Sequence, residues 1–360
     1  MKIHNFSAGP SILANTVIHQ ASKSVLGLDE IGLSILEISH RSNEFENIIN
    51  EAQTLIKELL QIPKNYEVLF LQGGASLQFY MSALNFSKQN GFAGYIDTGV
   101  WSKKAIQEAS KITNVITVAS SKDNNYSYIP EKINIKKRLD YLHFTSNNTI
   151  YGTQFHCLKE IQKASNNTKL ICDMSSDILS KKINIQEFDL IYAGAQKNLG
   201  PAGATLIIIN KDSLEKNENL PTYLNYKTHI EKKSMFNTPP VFSIYVILLT
   251  LRWIKQHGGI DMIEKNNIQK ASTIYNEIDR NKLFFGLVNS KDRSIMNATF
   301  NITKENLKIK FEKMCKEAGI SGIIGHRSVG GYRASLYNAL NIDSVSHLVD
   351  VMQNLEKQSS

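Results

Sequence analysis

Seven short apolar runs, each closed by small or polar residues, constrain this chain most: "EVLFLQGG", "GYIDTG", "NVITVA", "YLHFTSN", "KLICDMSS", "DLIYAGA" and "ATLIIIN". Each has the length of a buried strand. Between most of them lie stretches with helical spacing, such as "SLQFYMSALNF" and "SKKAIQEASK". Strands that alternate with amphipathic helices specify an α/β sheet with helices on both faces, here expected over roughly residues 65 to 210.

Beyond the sheet, "VFSIYVILLTLRWI" meets Arg252 after about a dozen residues, short of the ~20 that cross a bilayer, and reads as a buried helix. The preceding "FNTPP" offers Asn237 or Thr238 as its cap, with the prolines in the first turn. From about residue 260 longer amphipathic helices take over, "MIEKNNIQKASTIYNEID" and "KIKFEKMCKEAG", with short extended pieces between them. They are expected to form a second, smaller domain. "SSKDNNYSY" reads as a polar surface loop.

Composition narrows the function class. The net charge of +8 would suit an anionic partner, but the lysines are spread along all 360 residues, whereas a nucleic-acid footprint clusters. Cys157, Cys172 and Cys315 lie far apart with no CxxC pair, which favours a reducing compartment and excludes a structural zinc motif. The start "MKIHNFSAGPSIL" lacks the apolar segment of a signal peptide, so a cytoplasmic protein is expected, with its first residues part of the fold. The Asn-x-Ser/Thr sequons, such as Asn147 to Thr149, are then chance matches in an asparagine-rich chain.

In an open α/β sheet, ligands bind outside the carboxyl ends of the strands. The polar or flexible residues that follow the runs are Gly73, Gly74 and Ser76, then Trp101, Thr149, Asp173, and Gln196 with Lys197. A lysine that ends a buried strand among small residues, as in "YAGAQKNLGPAG", is partly desolvated; its pKa falls and the nucleophilic neutral amine becomes accessible. The segment "GAQKNLG" lacks the GxxxxGK[ST] order of a P-loop. Asp173 ends the run "KLICD" 24 positions earlier and is expected at the same edge. A carboxylate there could keep a pyridine nitrogen protonated, the condition under which pyridoxal phosphate acts as an electron sink. "LQGGASLQF" turns from strand to helix, and free N–H groups at a helix start attract phosphate. Trp101 offers a flat face for stacking.

Seven segments in order, "EISHRS", "GGASLQF", "TGVWS", "CDMSSDILS", "YAGAQKNLGPAG", "SMFNTPP" and "GHRSVGGYRASLYNA", together resemble the phosphoserine aminotransferase family, from "NFSAGPSIL" to the last helix. The resemblance implies the fold type I, aspartate-aminotransferase-like architecture: a mostly parallel seven-stranded sheet between helices, plus a smaller α+β domain. It implies a large cofactor-binding domain over residues 16–258 and a small one from 1–15 and 259–360. It also implies pyridoxal phosphate, no metal, a homodimer with the cofactor at the interface, and amino transfer from L-glutamate to 3-phosphohydroxypyruvate. The related 3-hydroxy-2-oxo-4-phosphooxybutanoate is a further expected acceptor, which would link the chain to pyridoxine as well as serine synthesis.

By the same resemblance Lys197 is the Schiff-base lysine, Asp173 the partner of the ring nitrogen and Trp101 the stacking residue. Thr149 and Gln196 would bond the cofactor, Ala75 and Ser76 would hold its phosphate, and Asn237 and Thr238 would reach that phosphate from the other subunit. Arg333 would clamp the substrate α-carboxylate at two points. A substrate with a carboxylate and a phosphate carries about three negative charges and needs several fixed cations, which the pairs His40-Arg41 and His326-Arg327 could supply. Some family members have arginine at the place of Ser76; here the phosphate site would lean more on the two pairs. Another fold type I enzyme, such as a cysteine desulfurase, would keep Lys197 and Asp173 without needing both pairs. A non-enzymatic anion-binding protein would use the charge without a buried lysine.

Overall fold

The computed structural model describes residues 2–215 and 219–359. Its strands are β1 His4–Asn5, β2 Tyr66–Leu71, β3 Phe92–Asp97, β4 Asn114–Ser120, β5 Tyr141–Thr145, β6 Lys169–Asp173, β7 Leu190–Gly194, β8 Thr205–Asn210, β9 Phe284–Gly286, β10 Asn297–Ile302, β11 Ile320–Ser321 and β12 Tyr332–Ser335. Its α-helices are α1 Asn15–Leu26, α2 Asn43–Leu59, α3 Gly74–Phe86, α4 Val100–Ala109, α5 Lys159–Ser165, α6 Tyr226–Glu231, α7 Val241–Gln256, α8 Gly259–Arg280, α9 Lys308–Glu317 and α10 Ile342–Lys357.

All seven expected runs lie in one sheet, in the order β2-β8-β7-β6-β5-β3-β4. β8 runs antiparallel to β2 and β7, and the remaining pairs are parallel. Successive side chains of a strand point to opposite faces. Thus Val68, Phe70, Leu206 and Ile208 enter the core shared with α1, α2 and α7, while Leu69, Leu71, Ile207 and Ile209 pack with α3 and α4. Burial on both faces is why the strands inside β4, the half-exposed edge strand, read as nearly continuous apolar runs.

The apolar helix is α7, with Ile244, Ile247, Leu251 and Ile254 fully buried. Its start corrects an expectation. The helix begins at Val241 after Pro240, which makes no side-chain cap, so neither Asn237 nor Thr238 caps it. A residue followed by proline is pushed to extended backbone, so the two prolines precede the helix instead of forming its first turn. The loop "SSKDNNYSY" is also less superficial than expected, since Tyr126 is buried and donates to Asp97 Oδ2 at 3.2 Å.

A second core forms around the antiparallel sheet β12-β10-β9, the parallel pair β1-β11, and α8, α9 and α10. The register of β10 and β12 sets Thr299 opposite Arg333. Phe6 lies inside this core and Ile12 packs against it. We propose on that ground that residues 1–15 and 259–360 form a small domain and 16–258 a large one; residues 1 and 360 lie outside the described part.

The turn after Lys197 rests on α7, because a Cβ at Gly200 would stand 2.9 Å from Ile247 Cγ1. Truncation of Ile247, 0% exposed, to alanine is expected to cost about 2–5 kcal/mol. It should lower the urea midpoint for unfolding, and an unchanged midpoint would refute this packing.

Candidate active site

The carboxyl ends of β2, β3, β5, β6 and β7 open on one edge of the sheet, and each delivers a different chemical group there. After β7 the chain turns tightly: the Ala195 carbonyl accepts the N–H groups of Lys197 and Gly200, both at 2.8 Å. The Gln196 side chain folds back over Gly194, where a Cβ would meet its Oε1 at 2.7 Å. The Gln196 carbonyl accepts from the Ser11 N–H at 3.0 Å, and the Ser11 hydroxyl donates to the Lys197 carbonyl. Asn198 donates to the Ser176 carbonyl at 3.2 Å and accepts from the Asn338 N–H at 3.0 Å. The turn that bears the lysine is therefore fixed from both cores.

Lys197 is 9% exposed, and its Nζ donates to Thr149 Oγ1 at 2.8 Å. The same Nζ stands 5.8 Å from the centroid of the Trp101 ring. Burial lowers its pKa from 10.5 to about 8, against the opposing charges of Asp173 and Asp177. Asp173 accepts from the Ser175 N–H at 2.9 Å. Burial pushes its carboxyl up, while the bond from Ser175 and the charge of Lys197 pull it down. Behind it, Asp177 accepts from the Ser146 hydroxyl, and from Gln154 Nε2 at 3.1 Å. Burial also raises Asp177, with Lys181 as its main opposing charge.

Thr149 joins the lysine to an arginine. Arg333 Nη1, from β12, donates to the Thr149 carbonyl at 3.1 Å. Its Nε is buried without a partner, and burial lowers its pKa. Asn148 shapes the turn by donating to the Thr98 carbonyl at 2.6 Å and accepting from the N–H groups of Ile150 and Tyr151. Trp101, in the first turn of α4, likewise has a buried Nε1 without a partner.

Between β2 and α3 the chain passes Gly73 and Gly74, with φ of 89° and 65°. A Cβ on Gly73 would meet Leu77 Cβ at 2.6 Å, so a side chain there is doubly disfavoured. The first N–H groups of a helix lack intrahelical partners, and this first turn carries no acidic residue. Ala75 packs beside Trp101 on the core that contains Tyr192. Ser76 is exposed.

His326 lies on the loop between β11 and β12, where its Nδ1 meets Ser328 Oγ at 2.7 Å. Burial lowers its pKa, as do the charges of Arg333, Arg327 and Lys104. His40 and Arg41 lie elsewhere, in a cavity shared with Glu46, Glu231, Lys232, Lys233 and Met235. Asn237 and Thr238 are exposed just beyond it, with the Thr238 carbonyl accepting from Gln72 Nε2 at 2.9 Å. Among the described residues no contact joins His40, Arg41, Asn237 or Thr238 to Lys197. The one chain thus gathers Lys197, Asp173, Thr149, Trp101, Gln196, Arg333 and His326, whereas His40, Arg41, Asn237 and Thr238 stay out of contact with the lysine, Thr238 meeting Gln72 ahead of the glycine turn.

Several contributors escaped the sequence reading. Asp177 stood four residues after Asp173 within "CDMSSDILS", and Ser11 within "NFSAGPSIL". Spacing alone marked neither, because their partners lie far along the chain. Among the described residues no group of three or more His, Cys, Asp or Glu could hold a metal, and no helix is long and apolar enough to cross a membrane.

The family model of class-V aminotransferases matches residues 3–348. The chain is 53% identical over 360 residues to the phosphoserine aminotransferase of Flavobacterium johnsoniae, with 99% of this chain and 100% of that protein covered. The structure of the phosphoserine aminotransferase from Bacillus circulans subsp. alkalophilus aligns with a TM-score of 0.96 and 42% identity, over 100% of this chain and 99% of that one. The PLP-bound phosphoserine aminotransferase of Trichomonas vaginalis aligns with a TM-score of 0.91 and 32% identity, over 98% and 100%.

The electrostatics give a direct test in the ligand-free protein. Labelling of Lys197 by an amine-selective reagent should rise with pH through a midpoint of about 8, well below the ordinary 10.5. Asp173→Asn removes a charge that raises this pKa, so the midpoint should move lower still. A midpoint near 10.5, or an upward move in the variant, would contradict the burial argument.

Proposed function

Because the chain belongs to the class-V aminotransferases, and within them to the phosphoserine aminotransferase family, we propose that this PLP-dependent enzyme moves the amino group of L-glutamate to 3-phosphohydroxypyruvate. The products are O-phospho-L-serine and 2-oxoglutarate. One observation carries the reading: a buried lysine amine and an arginine guanidinium both bond to Thr149, one through its hydroxyl and one through its carbonyl. A nucleophile and an anion clamp in that relation suit an amino acid whose α-carbon must lie beside the lysine.

The residues fit pyridoxal phosphate. The Gly73-Gly74 turn with the N–H groups at Ala75 and Ser76 suits a phosphate, the Trp101 face a planar ring, and the buried Asp173 a protonated ring nitrogen. Thr149 accepts from Lys197 and Gln196 precedes it in the same turn, and the unpartnered Nε1 of Trp101 and Nε of Arg333 suit polar groups of a ligand. When bound, the cofactor supplies an electron-withdrawing pyridinium that stabilises negative charge on the substrate α-carbon.

The chain's own work is then positional and acid-base. Arg333 binds the α-carboxylate at two points and orients the α-carbon–hydrogen bond toward Lys197. Lys197 Nζ, with a pKa of about 8, is neutral often enough near neutral pH to take the α-proton and protonated often enough to return it. With the cofactor bound, Asp173 would keep the ring nitrogen protonated. His326 and Arg327 lie toward the Arg333 side and suit the second anionic end of either substrate. That end is a carboxylate in glutamate and a phosphate in the oxo acid, so one basic pocket serves both halves of the reaction.

His40, Arg41, Asn237 and Thr238 enter the proposal through a homodimer. They have no counterpart in their own chain's Lys197 site, and a second copy would receive the two basic groups and the two cofactor-phosphate ligands from this chain. The free cysteines Cys157, Cys172 and Cys315 support a reducing compartment such as the cytoplasm. We extend the proposal to 3-hydroxy-2-oxo-4-phosphooxybutanoate as a second acceptor, since it presents the same carboxylate, oxo and phosphate groups, and hence to a part in pyridoxine synthesis.

The purified protein with pyridoxal phosphate should be yellow, and borohydride should fix a pyridoxyl group on Lys197 by peptide mass; Lys197→Ala should abolish the label. A protein that stays colourless and unlabelled refutes the cofactor site, whereas a yellow protein that does not convert 3-phosphohydroxypyruvate refutes only the substrate. Arg333→Lys should raise KM for both substrates by roughly tenfold or more, because an ammonium cannot form the two-point clamp. Unchanged KM values would remove Arg333 from that role.

A further inference from the structure

We propose that Lys104 is a specificity-determining residue of this site, a fixed cation for the phosphate of the phosphorylated oxo acid; the inference rests on the aminotransferase reading above. Lys104 follows Trp101 by three residues on α4, and its Nζ stands 4.7 Å from the centroid of the indole ring. The nucleophile Lys197 stands 5.8 Å from the same centroid. One tryptophan is thus attended by the inner amine and by a second, solvent-exposed one.

No carboxylate neutralises Lys104 among the described residues. The acid one turn further along α4, Glu108, is paired with Lys111 at 2.8 Å. From beside Trp101 the Lys104 charge reaches His326, as do those of Arg327 and Arg333. Lys104, His326, Arg327 and Arg333 therefore share one electrostatic neighbourhood, with Lys104 its member beside Trp101. Such a cluster repels itself until an anion enters, and it draws anions toward the opening.

The members of the cluster differ in what they can do. Arg333 is committed to the α-carboxylate by its bond to the Thr149 carbonyl beside Lys197. His326 and Arg327 sit on a loop, and Arg327 is exposed. Lys104 stands on a helix whose start is pinned by Ser102, which bonds the N–H groups of Thr98 and Gly99 at 3.0 Å each. A lysine acts on phosphate as a compact point charge. Its pull on a phosphate dianion should exceed its pull on the single charge of the glutamate side chain. Ser76, at the mouth of the glycine turn, brings no cation of its own.

The test uses the holoenzyme and compares Lys104→Met, Lys104→Arg and, on the neighbouring exposed position, Lys103→Met. For Lys104→Met, KM for 3-phosphohydroxypyruvate and the inhibition constant for inorganic phosphate should both rise roughly tenfold, the effect of one lost partly exposed cation. KM for L-glutamate and kcat should stay within about twofold, since neither depends on a second negative charge at that place. Lys104→Arg should restore the wild-type values, and Lys103→Met should match wild type. Equal KM and inhibition constants in wild type and Lys104→Met would overturn the inference. An equal rise for both substrates would also overturn it, because Lys104 would then act by placing Trp101. If wild-type holoenzyme does not convert 3-phosphohydroxypyruvate at all, the substrate reading fails and carries this inference with it.

Discussion

The Lys197 amine is held out of water, and much of the molecule is arranged around that fact. An ammonium moved from water to a protein interior loses hydration worth several kcal/mol unless partners replace it. Here Thr149 Oγ1 replaces one hydrogen bond, and Asp173 and Asp177 return part of the lost electrostatic stabilisation. The balance leaves the amine near a pKa of 8, where both protonation states are accessible under ordinary conditions. The two carboxylates are destabilised in turn, since burial raises both and the charge of Asp177 raises Asp173 further. Ser175, Ser146 and Gln154 are the bonds that hold them ionisable.

The sheet was legible because it is buried on both faces. Its inner strands had to be unbroken apolar runs that end in residues able to turn, and only the edge strand β4, largely half-buried or exposed, is free of that demand. The start of α7 was misjudged for the opposite reason. Asn237 and Thr238 have the chemistry of caps, but the prolines that follow them hold the backbone extended, and local chemistry yields to backbone geometry. Tyr126 was misplaced because a polar string of residues hides one aromatic whose partner, Asp97, lies on a distant strand.

The site shows the same division. Lys197, Asp173, Thr149 and Trp101 follow strands, and strand ends share an edge by topology, so their convergence could be argued before any coordinates. Ser11 and Asn338 reach the lysine turn from the two ends of the chain, which no periodicity reports. His40-Arg41 and His326-Arg327 look alike as dipeptides, yet only His326 lies beside Arg333 in one chain. Sequence shows that two basic pairs exist; their placement depends on long-range packing for one pair and, under the dimer proposal, on a second copy for the other.

Arg333 and Lys197 come from different cores, so their spacing must be set by whatever joins those cores. The strand β12 that carries Arg333 runs on into Leu336, Tyr337 and Asn338. Lys270 of α8, 1% exposed, donates to the carbonyls of Leu336 and Tyr337 at 2.8 and 2.7 Å. Burial lowers its pKa to about 7, and the neutral amine keeps two N–H donors, one for each carbonyl. From the segment so held, Tyr337 Oη donates to the Ala8 carbonyl at 2.8 Å and the Asn338 N–H to Asn198 Oδ1 at 3.0 Å. Ala8 precedes the Ser11 that grips the lysine turn, and Asn198 belongs to that turn. A shift of β12 against the large sheet would therefore strain the same bonds that orient Lys197, so the distance from Arg333 to Lys197 is fixed by this junction. Substrate polarity acts later, on a spacing already set by the junction of the two cores.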